Sequence, residues 1–135
     1  MNPTAHILSP TSLGELVDKL TILEIKSDRI SDQDKLRNIT KELDALSNTL
    51  SDAVPLERRA ELESFQIELK SVNLKLWIIE DEIRNCERTK DFGATFIELA
   101  RSVYFTNDLR ADIKKRINLR FGSSLVEEKS YNKYD

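Results

Sequence analysis

The stretch LESFQIELKSVNLKLWIIEDEIRNC (62–86) carries apolar residues at Leu62, Phe65, Leu69, Val72, Leu76, Ile79, Ile83 and Cys86. Alternating steps of three and four keep these side chains on one stripe of an α-helix. The spacing predicts a helix over about 56–88, roughly 45 Å long at 1.5 Å per residue. Immediately before it, Leu36, Ile39, Leu43, Leu46 and Leu50 repeat the same steps. Ala53-Val54-Pro55 closes that run, because the residue before a proline disfavours helix and Pro55 suits a first helical turn. Helices 33–53 and 56–88 are thus expected to fold back on each other as an antiparallel hairpin, with Leu43, Leu46 and Leu50 against Phe65, Leu69 and Val72.

Helix 33–53 is too short to cover all of helix 56–88. Trp77, Leu74 and Ile78 lie off the main seam, so further helices must pack there, and the compact part of the bundle is expected around residues 72–88. Upstream, Ser12-Leu13-Gly14-Glu15 reads as a capping box, with Ser12 as N-cap and Glu15 reaching back to it. Leu13, Leu16, Val17, Leu20 and Leu23 then mark a helix over about 13–30. Ile22 and Ile25 project from its other side, the pattern of a central element covered twice.

A fourth helix runs over about 94–121 and stops at Gly122-Ser123-Ser124, leaving a tail, 122–135. If it is continuous, the line Phe96, Leu99, Val103 carries on through Asn107, Arg110, Lys114 and Asn118, and cations point where the core should be. The preferred reading is a break with Asn107 as a fresh N-cap, which puts Leu109, Ile113, Ile117 and Phe121 on the buried stripe. The fold class is then all-α: an antiparallel helical bundle with a long projecting two-helix coiled-coil hairpin, one domain over 1–135.

Composition agrees. Of 135 residues 33% are charged and 39% apolar, with three glycines and three prolines, as in long helices with solvated faces. The net charge of −3 and the scattered Lys and Arg give no footprint for nucleic acid. No apolar run approaches the roughly 18 residues of a membrane span. The leader MNPTAHILSP lacks the regions of a signal peptide, and the lone Cys86 fits a reducing compartment, so a cytoplasmic location is expected.

Candidate chemistry is sparse. The one histidine, His6, lies in the leader, which leaves no Ser-His or Cys-His pair on the helices, and Cys86 on the seam reads as a buried structural thiol. Zinc-type Cys and His clusters and Gly-rich phosphate loops are lacking from the sequence. Glu15, Asp18 and Glu80 are the candidate ligands if a Mg²⁺ ion is held between helices, because hard cations want several oxygens from rigid supports. Carboxylates in an acidic helical chain are more often solvated or paired, so no cofactor is the first expectation. Glu24 falls about 40° from Leu20 on a helical wheel, inside the apolar stripe, which predicts a buried ion pair with Arg110 or Lys114. Arg110, Lys114, Tyr104, Glu24 and Glu80 form the candidate ligand-binding set, where separate helices project cations, carboxylates and an aromatic toward one region. The alternative for the same residues is an ion-pair network that fixes helix register.

The segments GELVDKLTILEIK (14–26), NLKLWIIEDEIR (73–84), FIELARSVYFTNDLRADIKKRIN (96–118) and LVEEKSY (125–131) resemble a family of short bacterial and phage proteins catalogued as a domain of unknown function. That resemblance implies one domain and a bacterial or phage source, and it carries no catalytic residues with it. Two functions follow as expectations. One is a non-enzymatic interaction module, a homodimer with a possible further protein partner, using the arm or the groove of the first and fourth helices. The other is a small enzyme acting on a phosphorylated or nucleotide-linked molecule. Convergence of Glu15, Asp18, Glu24, Glu80 and Arg110 on one open cleft separates them.

Overall fold

A helix begins with amides that have no partner inside it, and the start of α1 (Leu13–Arg29) satisfies three of them with side chains from two places. Ser12 Oγ accepts from the Glu15 amide at 3.1 Å, as its N-cap position predicts. Asn118 Oδ1 accepts from the Gly14 amide at 2.7 Å, and Ser123 Oγ accepts from that of Leu13 at 3.3 Å. Only half of the capping box forms, because the Glu15 carboxylate turns to Lys114 instead of back to Ser12. The computed structural model describes residues 6–135; residues 1–5, the first half of the expected leader, lie outside it.

The other elements follow in order: α2 (Gln33–Ala53), a 3₁₀ turn (Leu56–Arg58), α3 (Arg59–Thr89) and α4 (Ala94–Arg120). Asp32 caps α2 through the Lys35 amide, and Arg59 closes its far end by donating to the carbonyls of Ser51 and Val54. Lys90, in the left-handed conformation at φ 58°, ends α3 in a turn whose amides return to Cys86 and Glu87. Among the described residues there is no strand, and the chain is an all-α antiparallel bundle.

The central helix is α1, which packs on α2, α3 and α4 in turn, as its two apolar sides foretell. Its Leu16, Val17 and Leu20 meet Leu50 and Val54 from α2 and its end, Leu62 and Leu69 from α3, and Ile113 and Ile117 from α4. Leu43, Leu46, Phe65, Val72 and Phe121 pack around this core partly buried. Two sequence expectations change here. The close neighbour of α2 is α1, so α2 and α3 share a core around α1 rather than zipping directly together. The projecting hairpin is the other one: beyond about residue 81, α3 is paired with α4 alone, and between residues 80 and 105 only Cys86 is buried. Lengths explain both. Helices of 17 and 21 residues cannot cover partners of 31 and 27, so the surplus of α3 and α4 extends past the core as the arm.

The fourth helix is continuous from Ala94 to Arg120, with no break at Asn107. Leu109 therefore stays 54% exposed, whereas Ile113 and Ile117 are buried together with Lys114 and Asn118. The close crossing of α1 and α4 centres on Gly14, where an added Cβ would lie 2.5 Å from the Lys114 carbonyl oxygen. Gly14→Ala is expected to lower stability by about 1–3 kcal/mol in urea denaturation despite alanine's better helix propensity, because backbone must move to admit the methyl. Gly93→Ala, whose Cβ would meet nothing closer than 3.5 Å, serves as the near-neutral control.

Candidate functional site

Asp18 lies in the middle of the Ile22–Ile25 side of α1, and its side chain is 1% exposed. A buried carboxylate needs donors, and two other helices bring them. From α4, Arg110 grips it with two parallel hydrogen bonds, Nε to Oδ1 at 2.9 Å and Nη2 to Oδ2 at 2.5 Å. From α3, Asn73 Nδ2 donates to Oδ1 at 2.9 Å and, at the same distance, to Thr21 Oγ1. Thr21 in turn donates its hydroxyl to the Asp18 carbonyl at 2.8 Å.

One turn further along α4, buried Lys114 places Nζ 2.6 Å from Glu15, 3.0 Å from Glu127 of the tail and 3.9 Å from Asp18. The continuity of α4 produces this arrangement: Arg110, Lys114 and Asn118 fall at spacings of four, and each reaches α1. Among the described residues no buried side-chain nitrogen or oxygen lacks a partner. The fully buried atoms of the cluster are thus all satisfied by its own members.

Burial pushes the Asp18 carboxyl upward, but hydrogen bonds from Arg110 and Asn73 and the nearby cations outweigh it and hold the group below its ordinary 3.8. The bond to Asp18 raises Arg110. Burial alone would lower Lys114, yet Glu15, Glu127 and Asp18 raise it, so both cations stay charged.

The residues singled out from the sequence divide into separate places. Glu15, Asp18, Arg110 and Lys114 meet in the cluster. Glu24 does not, which corrects its expected pairing: it binds Lys70 of α3 at 3.0 Å and is 39% exposed. The physical reason is that α1 meets α4 through its N-terminal half, while Glu24 lies beyond that contact and beside α3. Glu80 is exposed and pairs with Arg84 at 3.6 Å. Tyr104 is on the outer face of α4, stacked with Phe105 and with Tyr134 of the tail. No group of three or more His, Cys, Asp or Glu side chains suited to a metal ion occurs among the described residues. Sequence reasoning missed Thr21, Asn73 and Glu127. Asn73 and Thr21 carried one usable signal, small polar side chains placed where their neighbours on the same helix face are buried.

Beside the cluster, Ile22, Asn73, Leu76, Trp77 and Arg110 line a surface groove of about 400 Å³ between α1, α3 and α4, with Glu80, Asp81 and Arg84 at its outer end.

The match that places the chain among known proteins spans residues 9–134. It belongs to the family of unknown function DUF6165. Comparison of this DUF6165 chain with curated proteins and with solved structures returned no match. No helix among its described residues is long and apolar enough to cross a membrane.

Two measurements check the cluster. Asp18→Asn is expected to cost about 2–4 kcal/mol in chemical denaturation, because it leaves Arg110 half-buried without its counter-charge. Glu24→Gln, at a screened pair, should cost under about 1 kcal/mol. The pH dependence has a definite sign. A carboxylate whose folded value is depressed stabilises the fold above its unfolded value and loses that contribution as pH falls through the folded one. Wild-type stability should therefore drop between about pH 5 and pH 2, and the drop should be shallower in Asp18→Asn.

Proposed function

We propose that this DUF6165 chain is a non-enzymatic helical interaction module of bacterial or phage origin, a cytoplasmic scaffold or adaptor that works as a homodimer. The observation that carries this reading is a contrast. Asp18 and Lys114 are closed within the bundle by their own partners, whereas apolar residues remain exposed on the outer face of α4 even where Tyr134 of the tail packs beside Tyr104 and Phe105. Ile97, Tyr104 and Phe105 are all exposed and fall, with Arg101 and Asp108, within about 100° of the helix circumference. Apolar patches of this kind on a soluble surface mark contact sites.

The occupant we assign is a second copy, because the face is self-complementary. Antiparallel two-fold pairing of α4 centred between Tyr104 and Phe105 sets Arg101 of one copy opposite Asp108 of the other, twice. The enzyme reading needs acids and cations converging on an open cleft. Asp18 is instead closed in the interior, Lys114 is taken up by Glu15 and Glu127, Glu24 lies apart with Lys70, and only Glu80 and Arg110 border one groove, so the module is the better account of the geometry.

Light scattering behind size exclusion is expected to give twice the mass of one chain, and Ile97→Asp should shift the protein to monomer without loss of helicity. Arg101→Glu should weaken the dimer and the double variant Arg101→Glu, Asp108→Arg should restore it. A monomer at millimolar concentration sinks the proposal, and so does a charge-reversed double variant no tighter than the single one.

A further inference from the structure

The groove between α1, α3 and α4 has polar atoms that the cluster leaves unused. Asn73 is 5% exposed, and its Nδ2 is committed to Asp18 and Thr21. Among the described residues nothing donates to its Oδ1, and because no fully buried side-chain atom lacks a partner, this oxygen is not fully buried, and Asn73 lines the groove. Arg110 is committed through Nε and Nη2, and its Nη1 has no acceptor among the described residues. Both side chains hold the same Asp18 oxygen at 2.9 Å, so they are adjacent and fixed. The groove is thus lined by two neighbouring side chains, each fixed to Asp18 and each with an unused polar atom, a cationic donor on one and a neutral acceptor on the other, on a rigid support of the kind a preorganised site needs.

We infer that this groove binds an α-amino carboxylate with an apolar side chain, its carboxylate on Arg110 Nη1 and its neighbouring N–H on Asn73 Oδ1. An α-carboxylate and the nitrogen on the next carbon are the matching donor–acceptor pair, and a guanidinium is the side chain suited to planar carboxylates. Ile22, Leu76 and the Trp77 ring supply an apolar wall beside them, the usual composition of a small-ligand site. An open groove of about 400 Å³ has room for one or two residues of this kind. At the outer end Glu80 and Asp81 outnumber Arg84, and the charge of Arg110 is already met by Asp18, so the groove suits a zwitterion or a neutral-backboned peptide end better than a phosphate. The same chemistry comes from two sources, a free amino acid or the C-terminal residue of a peptide. The site is independent of the α4 dimer face.

Trp77 is the sole tryptophan of the chain and forms part of the wall, so its emission reports occupancy directly. The full-length protein is titrated with L-leucine, N-acetyl-L-leucine and L-leucinamide. A saturable change with Kd below about 5 mM for either carboxylate is expected, with leucinamide at least tenfold weaker. Saturation by N-acetyl-L-leucine alone assigns the peptide end, and saturation by L-leucine alone assigns the free amino acid. Arg110→Lys, which keeps a cation facing Asp18 but removes the spare nitrogen, should weaken binding at least tenfold. Leu76→Ala, outside the ion-pair cluster, should weaken it several-fold, and circular dichroism checks that both variants are folded. No response to either carboxylate up to about 20 mM overturns the inference, as does equal binding of leucinamide or an unchanged Kd in Leu76→Ala.

Discussion

One buried carboxylate, Asp18, sets the terms for the rest of the molecule. It cannot be hydrated, and α1 offers its carboxyl group no donor of its own, so α3 must deliver Asn73 and α4 must deliver Arg110 to the same oxygen atom. Breaking such an arrangement is costly, whereas forming it contributes little net stability relative to an apolar core. Its main effect is on register. A slide of α4 by one turn would replace Arg110 at Asp18 with another residue and would also move Asn118 from the Gly14 amide. Nonpolar contacts of Leu, Ile and Val carry no comparable directional demand.

The position of the arm follows from where that lock is. Asp18 ties α1 to the part of α3 and α4 near residues 73 and 110, and the shared apolar core occupies the side toward residues 62 and 117. Everything beyond lacks a third helix. The arm keeps helical backbone bonds and a thin line of contacts, Ile79 and Cys86 among them, and on its outer face Tyr134 of the tail packs beside Tyr104 and Phe105. The tail reinforces the lock, since Glu127 adds a second carboxylate to Lys114 after the Gly122 turn, where φ is +67°.

Membership in DUF6165 gives the chain relatives without giving it a reaction, and the geometry divides the possibilities by place. Charged side chains that look catalytic in a linear reading are spent on one another. The accessible features are an aromatic and aliphatic face on α4, flanked by Tyr134 of the tail, and a groove that Asn73 and Arg110 help to line.

The amino-acid sequence by itself determined the helices, their ends within a residue or so except at the start of α3, where residues 56–58 form a 3₁₀ turn, the burial of Cys86 and the central place of α1 with apolar residues on two sides. These are local or periodic properties, set by side-chain spacing, by Ser12 and Asp32 as caps and by Pro55 and Gly122 as stops. Tertiary structure decided which helix pair projects, whether α4 runs through Asn107, and which acid on α1 meets Arg110. Glu24 and Asp18 differ by six residues on the same helix, and a helical wheel ranks them by distance from one apolar stripe. It shows the second face formed by Ile22 and Ile25 but not which helix covers it, nor how far along α1 the crossing with α4 falls. That crossing is fixed by the glycine at position 14, which lets two backbones approach closely, and by the need to satisfy a carboxylate in the interior. Both are properties of helices already packed together.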